Sequence, residues 1–131
     1  MAVMIISLLI VLVMPIIAKV PLAYAMHQSS RYDNKHPRNQ QNSLTGFGAR
    51  ALAAHKNCFE AIAYFAPAVV TVMSLGAIDD VAKLLAIAFV ISRFIYLVMY
   101  WVNWDILRSA AWVIGFGCAL ALLVRLLLAM S

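Results

Sequence analysis

LLAIAFVISRFIYLVMYW, residues 84–101, is an apolar run interrupted by one full charge, Arg93. A run of that length without a break spans a bilayer as a helix, because a hydrocarbon core of about 30 Å needs about 20 residues at 1.5 Å each. Arg93 then lies where a charge costs roughly 2.5–3.5 kcal/mol on insertion scales, so it must face the interior of a bundle and find partners there. Glu60 occupies the same kind of position in a second apolar run. Two ionisable groups inside spans are a functional-site hypothesis by default.

Outward from these two residues, the same reading gives four spans, at residues 2–26, 48–74, 81–103 and 107–130. The chain has 131 residues, of which 66% are hydrophobic and 11% charged, and its mean hydropathy is +0.94. A soluble domain carries about 25% charged residues, so the fold expected is all-α, an integral membrane four-helix bundle forming a single domain over residues 1–131. The formal charge is +5, yet the basic residues sit at span ends and form no stripe with stacking aromatics, so no nucleic-acid partner is expected. Cys58 and Cys118 lie inside apolar spans without CxxC spacing, as buried thiols do. No metal site is implied.

Ala23-Tyr24-Ala25 imitates a signal-peptidase site, but no Lys or Arg precedes the apolar stretch, so the first span is expected to be a retained helix bent at Pro15. Residues 27–47 are the one long polar segment, a surface loop with Pro37 inside it. Lys19, Arg31, Lys35, Arg38, Arg50 and Arg108 cluster around this loop and the last connection, against Lys83 and Arg125 at the opposite side. The positive-inside rule then makes the long loop cytoplasmic in a multi-pass membrane protein. In the last span Ala111, Gly115 and Ala119 form a small-residue stripe, expected to be a packing surface.

Arg50, Asn57, Glu60 and Tyr64 project within an arc of about 80° on the second span, and Arg93, Tyr96, Tyr100 and Asn103 do so on the third. Glu60 and Arg93 fall at similar depth, which makes them expected partners, and Lys56 is placed for a salt bridge along the helix to Glu60. The tyrosines, with Arg50 and Arg108 beyond them, outline a cationic, hydrogen-bonding pocket open to the loop side. An anionic, amide-rich small molecule suits it.

Arg50-x6-Asn57-x2-Glu60 followed by Pro67, and Arg93-x2-Tyr96-x3-Tyr100 followed by Arg108, resemble the signatures of the MAPEG family, the membrane-associated proteins in eicosanoid and glutathione metabolism. Thr45-Gly46 and Leu107-Arg108-Ser109 are similar to a bacterial branch. The resemblance implies a homotrimer in the lipid bilayer, with glutathione as co-substrate and a lipophilic small molecule as second substrate. It places glutathione binding on Arg50, Asn57, Glu60 and Arg93, and catalysis on Arg108, Tyr96 and Tyr100. Arg108 would stabilise the thiolate, since a nearby guanidinium lowers a thiol pKa from about 8.5. Ala53 stands where many eicosanoid-type members carry a second arginine, and Asp105 lies between Tyr100 and Arg108 as a competing partner. The activity implied is a glutathione transferase or peroxidase. The alternatives are a non-enzymatic scaffold or binding protein of the same architecture and, more weakly, a small transporter, for which inverted repeats or broken helices are wanting.

Overall fold

The computed structural model describes residues 1–130 and, among them, only helices: α1 (Ala2–Ser30), α2 (Pro37–Asn42), α3 (Gly46–Ser74), α4 (Asp80–Trp101) and α5 (Asp105–Met130). All except the short α2 are long and apolar enough to cross a membrane. The chain is thus an all-α, multi-pass membrane bundle. The start of α1, the end of α5 and the α3–α4 turn lie at one end, and the long loop and the α4–α5 turn lie at the other.

Packing follows from spacing. Met4, Ser7, Val11, Met14, Ala18, Leu22 and Met26 are buried at intervals of three and four, so they form one stripe of α1 facing the bundle. Ile5, Leu9, Leu12, Ile16 and Val20 lie on the other side, exposed as a lipid-facing surface requires. In lipid the tails are as apolar as the core, so van der Waals fit and hydrogen bonds hold the helices together. The fit centres on Phe65 of α3, stacked on Phe89 of α4 at 3.9 Å between ring centroids. At the loop end a second cluster gathers Leu22, Met26, Ala51 and Leu52 against Trp101.

α1 runs through both Pro15 and Pro21 as one helix and continues to Ser30, beyond the expected limit at residue 26. It stops where Arg31 turns to φ 58°. A carbonyl can only accept, so His55 Nδ1 carries a proton and donates it to Pro15 O at 2.9 Å, pinning α3 to α1. The polar loop is ordered around one side chain. Gln40 Nε2 donates to Met26 O, Ser30 Oγ and Arg31 O at 3.0, 3.1 and 2.8 Å, while its Oε1 accepts from Asp33 N at 2.9 Å. α2 starts with Pro37 in the first turn, where its missing N–H costs nothing.

Two turns set the registers. After α3, Gly76 takes φ 65°, and Ala77 N donates back to Val72 O at 3.0 Å. After α4, Asn103 takes φ 62°, with Trp104 N bonded to Met99 O at 2.8 Å and Asn103 N to Tyr100 O at 3.3 Å. Both are Schellman closures, in which Gly or Asn supplies the left-handed residue. Asn103 is therefore a helix terminator and leaves the polar stripe on which its spacing had placed it.

Candidate functional site

Arg93 is the centre of the buried polar network, with only 3% of its surface exposed. Its Nη2 donates to Ala111 O of α5 at 2.9 Å, and its Nη1 donates to Asn57 Oδ1 at 3.3 Å and Tyr64 Oη at 3.4 Å, both on α3. Ser92 Oγ accepts from Nε at 3.5 Å. The guanidinium carbon also lies 4.8 Å from the Tyr96 ring centroid and 5.6 Å from that of Phe89, within cation–π range. One side chain of α4 thereby ties three helices together.

The direct Glu60–Arg93 pair expected from the sequence is corrected here. Asn57 stands between them, receiving from Arg93 and donating through Nδ2 to Glu60 Oε2 at 2.6 Å. The reason is helical geometry: Glu60 lies three residues beyond Asn57, a turn deeper and about 60° round the helix, so the guanidinium meets the amide first. Glu60 is consequently exposed on the flank of α3. Among the described residues Lys56 makes no ion pair with Glu60 either.

Gly115 has a role that the small-residue stripe alone did not reveal. A Cβ there would lie 2.5 Å from Ser92 Oγ and 2.8 Å from Arg93 Nη2. The missing side chain is the space the guanidinium occupies. Buried Ala111 and Ala119 flank it, so the stripe admits an arginine and a serine as well as a neighbouring backbone. A glycine one span away from a buried arginine was the available signal.

Towards the loop end the second group of residues assembles. The Tyr96 and Tyr100 rings meet edge to face at 5.4 Å, and Arg108 lies over Tyr100 with its guanidinium carbon 4.5 Å from the centroid. The Asn103 turn produces this stack by folding the start of α5 back beside the last turn of α4. Among the described residues no ion pair joins Arg108 to Asp105, so that competitor is not engaged. Tyr96 lies beneath the Arg93 guanidinium and meets the Tyr100 ring edge to face, and so joins the network to the stack.

Arg50 stands apart. It is half-buried two turns nearer the loop than Asn57, and its Nε is buried with no hydrogen-bond partner among the described residues. Trp101 Nε1 at the same end is in the same condition. Six of the seven expected site residues thus form one connected ridge on α3, α4 and α5, and Arg50 sits beyond its loop-side end. Cys58 and Cys118 are free and buried, and Cys58 Sγ donates to Ala54 O at 3.4 Å, as a structural thiol does. Among the described residues no cluster of His, Cys, Asp or Glu is placed to hold a metal.

A family model, that of the MAPEG family, matches residues 3–128. No curated protein and no solved structure matches the chain.

Proposed function

The chain belongs to the MAPEG family, and from that premise we propose that it is a membrane-bound glutathione transferase or peroxidase acting on lipophilic electrophiles or lipid hydroperoxides. The observation that carries the reading is the exposed Glu60 carboxylate, held at the flank of a spanning helix and linked through Asn57, Arg93 and Tyr96 to the Tyr100–Arg108 stack. A carboxylate cannot stay against lipid tails at that depth. A second copy of the chain covering it, in a homotrimer, together with a peptide whose ammonium it receives, supplies both cover and counter-charge.

Glutathione suits the ridge chemically. Its ammonium pairs with Glu60 beside Asn57, a carboxylate goes to the half-buried Arg50 guanidinium, and its thiol faces Arg108. Arg93 acts from behind by holding Asn57 and Tyr96. In the transferase reaction the thiol loses its proton to water, the thiolate sulfur bonds to the electrophilic carbon, and the leaving group departs with the bonding electrons. In the peroxidase reaction two glutathiones are oxidised to the disulfide as the hydroperoxide becomes an alcohol and water. The basic bias favours a cytoplasmic long loop, which would open the mouth of the ridge to cytosolic glutathione.

Calorimetric titration of the detergent-purified protein with glutathione tests the premise, and saturable heat is expected. Arg108→Ala should then lower turnover of a chloronitrobenzene about 100-fold, the usual cost of removing one group that stabilises developing negative charge. Binding should change little, because an interaction made mainly in the activated state affects the chemical step most. Retained turnover moves the role to Tyr96 or Tyr100. Ala53 favours a second reading, a non-catalytic scaffold or binding protein, and binding without turnover in the parent chain would select it. Absence of binding overturns the enzymatic proposal.

A further inference from the structure

Tyr64 stands one turn beyond Glu60 on α3, inside the membrane-spanning part of the helix, and is half-buried. Its ring is held from two sides: Phe89 of α4 meets it edge to face at 5.9 Å, and Phe116 of α5 does so at 5.4 Å. Its oxygen accepts from Arg93 Nη1 at 3.4 Å. A guanidinium carries donors only, so the phenolic proton plays no part in that bond. Among the described residues the Tyr64 O–H donates to nothing. Such a proton is costly at this depth, because hydrocarbon supplies no water to take it. The bond from Arg93 also polarises the phenol and makes its proton a better donor.

The depth of this donor can be read along α5. Arg108, Trp112 and Phe116 follow one another at intervals of four and project within an arc of about 80°. The Trp112 and Phe116 rings stack nearly parallel, 5.4 Å between centroids, and both are exposed. Tyr64 touches Phe116, so it lies about two turns, roughly 12 Å, deeper than Arg108. A lipophilic substrate whose reactive carbon meets a thiolate at Arg108 extends along this aromatic strip. Tyr64 is the polar group it meets there. A second copy over the flank of α3 makes the strip one wall of a cleft between subunits.

We infer that Tyr64 is a specificity-determining residue, whose O–H donates to an acceptor oxygen carried by the lipophilic second substrate about 12 Å from the carbon that reacts. The inference rests on the proposed function for the thiolate at Arg108 and adds a substrate class to it: a chain bearing a remote carbonyl, ether or hydroxyl oxygen, in preference to a plain hydrocarbon chain. The surroundings of the hydroxyl support that selection. Phe89 and Phe116 shield it from water, and a shielded donor rejects a ligand that brings no acceptor, because the donor is then left unpaired.

The test compares three enals of one chain length, with glutathione and the full chain in detergent. They are trans-2-tetradecenal, its 13-oxo analogue, whose ketone in the extended chain falls at that spacing from C3, and its 7-oxo isomer, whose ketone falls short of it. In each the glutathione thiolate bonds to C3 and C2 takes a proton from water, so only the remote oxygen differs. The parent should prefer the 13-oxo substrate about fivefold in kcat/KM over the other two, the worth of one neutral hydrogen bond. Tyr64→Phe keeps the ring and should lose that preference, whereas a purely structural loss lowers all three rates and leaves their ratios. If the variant folds poorly, the parent's choice between the 13-oxo and 7-oxo isomers still decides. A second reading needs no glutathione: the carbonyl stretch of bound tetradecan-2-one, labelled with carbon-13 at the ketone, should lie lower in the parent than in Tyr64→Phe. An inactive parent refutes the transferase reading, and the infrared comparison then decides the inference by itself. Equal use of the three enals, a preference that survives Tyr64→Phe, or the same carbonyl band in both proteins overturns the inference. So does a weakened oligomer in Tyr64→Phe, for then the O–H donates to a second copy of the chain.

Discussion

The two ends of the bundle treat their charges in opposite ways. At the end with the termini, Asp79 caps α4 by accepting from Ala82 N at 2.7 Å and also receives Arg125 of α5, with Nη1 at 3.1 Å from Oδ1. Asp80 pairs with Lys83 at 2.8 Å. At the loop end Lys19, Arg38, Arg50, Lys56 and Arg108 have no carboxylate partner among the described residues, and two donors, Arg50 Nε and Trp101 Nε1, are buried unpaired. Leaving a buried donor unsatisfied costs about 1–3 kcal/mol, so a fold optimised for stability alone would not retain two. One end is closed by its own side chains; at the other the chain leaves its cations without carboxylate partners of its own.

The Arg93 network lies between these ends, and its removal should be the most costly single change. Arg93→Met leaves the buried Asn57 Oδ1 and Ala111 O without their donor and empties the space at Gly115, so a loss of about 1–3 kcal/mol for each stranded group is expected. Denaturation with a harsh detergent, followed by circular dichroism, measures it. Glu60→Gln should cost less than about 1 kcal/mol in the same assay, because the exposed carboxylate is hydrogen-bonded to the network through Asn57. A double-mutant cycle sharpens the point: coupling of Arg93 with Asn57 should exceed its coupling with Glu60. The reverse order would restore the direct ion pair and make Glu60 part of the structural core rather than the exposed flank.

Gly115→Ala probes the same network from α5. The added methyl meets Ser92 Oγ and the guanidinium at distances no real Cβ tolerates, so a loss of about 1–3 kcal/mol is expected. Gly117→Ala has nothing within 4 Å of the new methyl, and it should stabilise the helix by up to about 1 kcal/mol. If both variants behaved alike, the requirement at Gly115 would be one of helix propensity and not of space for Arg93.

These residues also show what a sequence can and cannot display. The spans were legible because a bilayer imposes length and apolarity on contiguous residues, and the Tyr96, Tyr100 and Arg108 grouping was legible because helical spacing fixes the first two on one face. The end of α1 was not, since His27 to Ser30 are polar and carry no apolar period, while the helix persists until Arg31 breaks it. Nor was the partner of Arg93. Charge and depth favour Glu60, but the choice depends on rotation between two packed helices, which places Asn57 first. The course of the polar loop depends on Gln40 folding it back over α1, a tertiary fact with no local signature.

The smallest effect is expected at the closed end and is visible only in acid. Arg125 and the Ala82 N–H hold the Asp79 carboxyl down to about 2, against an ordinary value of 3.8. A depressed folded-state pKa contributes stability that is complete above the unfolded value and is lost as pH falls through the folded one. The contribution of Asp79 should therefore fade between about pH 4 and pH 2, while Asp79→Asn, which cannot titrate, lacks that component of the acid transition. Thermal unfolding in detergent should show the parent more stable than the variant at pH 6, with the difference narrowing as pH approaches 2. Both groups are solvent-exposed, so salt should reduce the gap as well. A gap that persists unchanged at pH 2 would assign the benefit to the neutral cap hydrogen bond alone, and the charge pairing that distinguishes this end from the loop end would then contribute nothing to stability.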